Sequence, residues 1–137
     1  MKHEYIAGDL IIYTSLYKEP VAEICEVCET SYTIRFMHGN IAKVTSKEIK
    51  PIPLTPEILE KNGWKLHKRH KRNSYDDISW SSYHKPAETK ISLILLQEEK
   101  AFFLFLYAEE ISGTPIRYIH QLQHLLFGLG LNSEMEV

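Results

Sequence analysis

A chain of 137 residues, 44% hydrophobic and 25% charged, has room for one domain or for a very small barrel fused to a second small unit, and it excludes two large domains. That apolar content suffices to offset conformational entropy, so disorder is expected only at the ends. The formal net charge of -2 excludes attraction to nucleic acid through overall charge, and any such binding needs a local patch.

The first fifty residues have the pattern of a small all-β unit. "GDLIIY" (8–13), "VAEICEVC" (21–28), "SYTIRFM" (31–37) and "IAKV" (41–44) are short, rich in β-branched and aromatic residues, and separated by turn formers. Ser31, Thr33 and Arg35 alternate with Tyr32, Ile34 and Phe36, the period of a half-buried strand. His38-Gly39-Asn40 supplies the positive-φ positions of a tight hairpin. Strands this short and closely spaced predict an SH3-like five-stranded barrel over residues 1–54. Cys25 and Cys28 fall within the β-patterned run, with no second pair to complete a zinc ribbon; they read as two reduced cysteines, one of them packed as a small hydrophobe.

Residues 55–137 read as an α+β subdomain, forming with the first one compact unit. In "PIPLTPEILEKNG", Thr55 can cap the first free amides, Pro56 occupies a position where a missing N–H costs nothing, and Gly63 can take the left-handed stop. A helix over Pro56 to Asn62 follows. "ISLILLQ" (91–97) and "AFFLFLY" (101–107), joined by "EEK", predict an apolar β-hairpin. Ile119, Leu122, Leu125, Leu126 and Leu129 form one helical stripe, which predicts a helix from Ile119 to Phe127 packed on that hairpin, followed by a frayed tail. The fold class is therefore α+β and β-rich.

Between helix and hairpin lies "WKLHKRHKRNSYDDISWSSYHK", Trp64 to Lys85. As a strand, its first half carries charge on both faces, a pattern that no packed core accepts. Either it is a solvated loop or it lines a surface that meets anions. Lys68, Arg69, Lys71 and Arg72 supply phosphate contacts, Tyr75, Trp80 and Tyr83 supply rings on which bases stack, and His84 with the neighbouring serines completes the hydrogen bonding. His120 and Gln123 are placed to close such a pocket from the C-terminal helix.

His120 and His124 stand four apart in "HQLQH", the spacing of a zinc-protease helix, but Gln121 occupies the position of the catalytic glutamate. Hydrolysis by that mechanism is excluded, and no third metal ligand is identifiable. The chain has no nucleophile elbow, phosphate loop or dinucleotide-binding glycine pattern. The expectation is a protein without enzymatic turnover, cofactor or metal.

"IKPIPLTPEILEKNGW" (Ile49 to Trp64) and "IRYIHQLQHLL" (Ile116 to Leu126) resemble a family of small uncharacterised proteins frequent in Bacteroidetes genomes, their mobile elements and gut phages. The resemblance implies a phage or mobile-element context and brings no active or binding residue with it. By analogy with small phage proteins that act by binding, the expected role is anti-defence: sequestering a phosphate-bearing nucleotide signal of a bacterial defence system. A nucleic-acid-binding module and a protein-interaction module using the "AFFLFLY" edge are the alternatives. The absence of signal-peptide order at the N-terminus predicts the host cytoplasm and no membrane partner; homo-oligomers stay open.

Overall fold

The computed structural model describes residues 4–14, 20–71, 79–86, 88–96, 99–107 and 109–137, and of residues 69–71 and 79 the backbone alone. Among the described residues, five strands and a helix are followed by five more strands and a second helix, so the architecture is α+β and strand-rich. In order they are β1 (Leu10–Tyr13), β2 (Val21–Val27), β3 (Tyr32–Phe36), β4 (Ile41–Val44), β5 (Ile49–Pro51), α1 (Pro56–Lys61), β6 (Lys65–Lys71), β7 (Ser79–Lys85), β8 (Glu88–Leu96), β9 (Ala101–Leu106), β10 (Glu109–Glu110) and α2 (Ile119–Gly128).

The chain divides into two units, one holding the residues up to Pro53 with Tyr118–Met135, the other Leu54–Arg117 with Glu136. The helix expected on the apolar hairpin is thus grouped with the N-terminal strands.

In the first unit the strands form an antiparallel sheet in the order β4-β3-β2-β1-β5. Alternation buries Ile11, Ala22, Ile24, Tyr32, Ile34, Val44 and Ile49 in one cluster. The β3-β4 hairpin turns at Gly39, whose φ of 98° is open to glycine and costly for other residues. The strands form an open sheet in place of the expected SH3-like small barrel: among the described residues no ladder joins β4 to β5. Cys25 and Cys28 are free and partly buried, and the Cys25 thiol bonds to the Thr33 carbonyl oxygen at 3.3 Å.

Helix α2 begins where the Ile119 N–H donates to the Ile52 carbonyl at 2.9 Å and Gln121 Oε1 accepts from the Tyr118 N–H at 3.1 Å. It runs one residue past the expected end. Gly130, at φ 72°, supplies the left-handed stop, with the Leu131 N–H closing on the Leu126 carbonyl at 2.9 Å.

In the second unit, α1 starts with the Thr55 hydroxyl accepting from the Ile58 N–H at 3.3 Å and is followed by Gly63 at φ 87°. The tail expected to fray is tied to this helix: the Asn62 side chain donates to the Glu136 carbonyl (2.8 Å) and accepts from its N–H (2.7 Å). The second antiparallel sheet has the order β10-β9-β8-β7-β6. Its central hairpin is the one expected from the apolar runs, turning through Lys100 at φ 50°.

Candidate functional site

Antiparallel partners share a face, so the register assigns the described side chains of the second sheet to one of two surfaces. One row runs Leu66, Tyr83, Leu93, Leu104 and the next includes Ser81, Leu95 and Phe102. Of these, Ser81, Tyr83, Leu93, Leu95, Phe102 and Leu104 are buried, and this is the core face.

The opposite face is only half-buried. One row across it is Lys65, His84, Ser92, Phe105, Glu110; the next is Lys68, Ser82, Ile94, Phe103; beyond it lie Trp80, Leu96 and Ala101. Trp80, Phe103 and Phe105 are each partly accessible, Lys65 and Lys68 are exposed at the β6 edge, and Glu110 is exposed at the β10 edge. Small serines separate the cations from the rings. The His67 and His84 rings meet edge to face at a centroid distance of 5.0 Å, and His84 Nδ1 is buried without a hydrogen-bond partner. A buried polar atom without a partner is uncommon.

The gathering of cations on this face depends on a local irregularity. The register between β6 and β7 slips between Leu66 and Lys68, so that Leu66, itself 37% exposed at this edge, shares the face of Tyr83 while Lys65 and Lys68 both lie on the opposite one. Strict alternation would have put Leu66 and Lys68 on the same side. A β-bulge at His67 resolves the conflict between one apolar and several charged residues.

The residues expected to form one site are distributed as follows. Lys68, Trp80 and His84 lie on the half-buried face. Tyr83 does not join Trp80 there: three positions apart on one strand, it points the other way and is 4% exposed in the core. Arg69 and Lys71 lie in β6 with only their backbones described, while Arg72 and Tyr75 lie outside the described residues. Lys65, Phe103, Phe105 and Glu110 were missed. The alternation of "AFFLFLY", which separates Phe103 and Phe105 from Phe102 and Leu104, was the signal that could have found two of them.

His120 and Gln123 belong to the other unit and do structural work within it. Gln123 Oε1 accepts from the Leu10 N–H, and Nε2 donates to the carbonyls of Gly8 and Ser133, all at 3.1 Å. Every hydrogen-bonding atom of the amide group but one lone pair region is thereby engaged within the fold. Next to it, His124 Nε2 lies 2.7 and 3.0 Å from the two carboxylate oxygens of Asp9, which is 1% exposed and also accepts from the Ile6 N–H at 2.9 Å. A metal bound at His124 Nε2 would have to displace this buried carboxylate. Among the described residues no group of three or more histidine, cysteine or acidic side chains stands in position to hold a metal ion.

His120 is buried, with its ring 5.0 Å from that of Tyr5, 5.5 Å from that of His124 and stacked at 6.0 Å on Tyr118. Burial holds its pKa below the usual histidine value; Asp9 opposes that shift and His124 adds to it. Burial also raises the Tyr5 phenol above the usual tyrosine range, with Glu4 as the next cause. A cleft of about 320 Å³ beside Tyr5 is lined by Glu4, Tyr32, Ser46, Lys50 and Pro51 among others. Tyr5 and Tyr32 present little surface to it, being 3% and 1% exposed.

No protein-family model matches the chain, and neither does any curated protein or solved structure. Among the described residues no helix is long and apolar enough to cross a membrane.

Proposed function

We propose that the protein is a non-catalytic binding protein that captures a phosphate-bearing nucleotide on the half-buried face of the second sheet. The observation that carries this reading is the placement of Trp80, Phe103 and Phe105 on the same face as Lys65 and Lys68. Rings supply stacking surface and ammonium groups supply phosphate contacts, the two components of a base-and-phosphate site. In the phage or mobile-element setting implied by the family resemblance, holding a nucleotide without turning it over would withdraw a defence signal from its receptor.

The three rings also favour a second reading, a single-stranded nucleic acid crossing the face, because successive bases stack on successive rings. Salt dependence separates the two, since each phosphate contact steepens the fall of affinity with salt.

Calorimetric titration of the purified chain with mononucleotides, cyclic nucleotides and a short single strand tests both. We expect saturable one-to-one binding of a nucleotide, recovered intact by chromatography, with Phe105→Ala and Trp80→Ala each weakening it by about 1–3 kcal/mol. If no nucleotide or single strand binds, or if both variants bind as the wild type does, the reading fails.

A further inference from the structure

Resting on that reading, we infer that the ligand is a guanine nucleotide lying across the strands, with its phosphate at the β6 edge and its base edge read by Glu110. The row Lys65, His84, Ser92, Phe105, Glu110 passes through all five strands as an unbroken series of register partners. It is cationic at one end, small in the middle, aromatic next to the far end and anionic at that end.

The dimensions select the size of the ligand. Four interstrand steps span about 19 Å at the usual spacing of about 4.8 Å. The lysine and glutamate side chains stand off the sheet at its two edges, so their charged ends lie up to about 19 Å apart, and a hydrogen bond of about 2.9 Å at each end leaves about 13 Å for the ligand. One nucleoside monophosphate fills such a gap from its phosphate to the outer edge of its base. A dinucleotide extended along the row is too long.

The chemistry of the far end selects the base. A carboxylate only accepts hydrogen bonds. Guanine presents two adjacent donors on its pairing edge, N1–H and the N2 amino group, which match the two oxygens of one carboxylate. Adenine presents one amino donor beside an acceptor nitrogen, and that acceptor would face an oxygen lone pair. Cytosine offers one donor and uracil one. A base stacked on Phe105 therefore meets Glu110 best as guanine, while Lys65 receives the phosphate at the other end of the row.

A calorimetric series on the full chain tests this, using GMP, AMP, CMP, UMP and guanosine against wild type, Glu110→Gln and Lys65→Ala, with melting curves recorded for each. For wild type we expect GMP to bind at least about tenfold more tightly than AMP, the discrimination of one good paired contact. Glu110→Gln should shift the preference toward AMP, because a carboxamide offers one acceptor and one donor in the order adenine needs. Lys65→Ala should bring GMP close to guanosine. Binding of nucleotides without base preference, or a guanine preference unchanged in Glu110→Gln, overturns the orientation while the proposed function stands. Absence of binding by every nucleotide overturns both.

Discussion

Asp9 illustrates how one side chain can govern a local design. A buried carboxylate is costly unless it is paired and hydrogen-bonded, and His124 with the Ile6 amide provides both. For His120, one turn earlier, burial disfavours the charged ring more than Asp9 favours it, so its pKa is held below the usual histidine value, and the groups facing it are Asp9, Glu4, His124, Tyr5 and Tyr118. The sign of the pH dependence follows. In the unfolded chain a histidine takes up its proton around pH 6.5, before the folded ring does. The unfolded state is then the one that binds more protons, so stability falls as pH drops below about 6.5 and levels off once the folded ring is protonated too. The expected outcome is a melting temperature that declines from pH 7 toward pH 5, with a smaller decline in His120→Phe, which keeps a ring of similar size. Equal declines in both proteins would assign the effect to other groups. None of this was legible in the sequence. Asp9 and His124 are 115 positions apart, and the motif "HQLQH", read as polar contacts between helix and sheet rather than as a metal site, does not name the partner.

Helix α1 was legible because its signals are local. Thr55, Pro56 and Gly63 each act within a few positions of themselves, and the structure places all three in the expected roles. Replacing Thr55 with alanine removes the acceptor for the Ile58 amide and should cost about 1 kcal/mol of stability, measurable by denaturant titration. An unchanged midpoint would mean that water serves the amide equally well. The strands were legible as strands, from composition and alternation, but their faces were not. For β7 the information was present, since Trp80 and Tyr83 are an odd number of positions apart and cannot share a surface on a regular strand. For β6 it was absent: the bulge that turns Lys65 and Lys68 to one side responds to the partner strand, which a reading of β6 alone does not contain. The apolar runs of β8 and β9 conceal their two faces for a related reason. Alternation separates Phe103 and Phe105 from Phe102, but all three are equally hydrophobic, and the burial of Phe102 and Leu104 shows which of the two sets lines the core.

The division of the chain into two units is a property of the complete polymer rather than of its consecutive segments. The first unit changes over to the second between Pro53 and Leu54, beside the proline-rich connector. The return of Tyr118–Met135 to the first unit is not written anywhere locally. A leucine stripe announces that a helix will be covered and is silent on which sheet covers it. The consequence can be tested by cutting the chain. A fragment of residues 1–54 contains all five strands of the first sheet, yet it lacks Gln123, which satisfies the buried Leu10 amide, and His124, which compensates the buried Asp9 carboxylate. It also lacks the Ile119 amide, which bonds to the Ile52 carbonyl. Each buried polar group left without its hydrogen-bond partner costs about 1–3 kcal/mol, and three are lost together here. That sum is comparable to the whole stability of a small domain, about 5–15 kcal/mol. Residues 1–54 alone are therefore expected to show narrow amide dispersion by NMR and no cooperative thermal transition, whereas the full chain shows both dispersion and a transition. Adding a peptide of residues 117–135 should restore part of the dispersion, because it returns Gln123 and His124 to the turn around Asp9. A fragment of residues 1–54 that melts cooperatively without the peptide would show that the five strands are sufficient, and that α2 rests on a unit already able to fold.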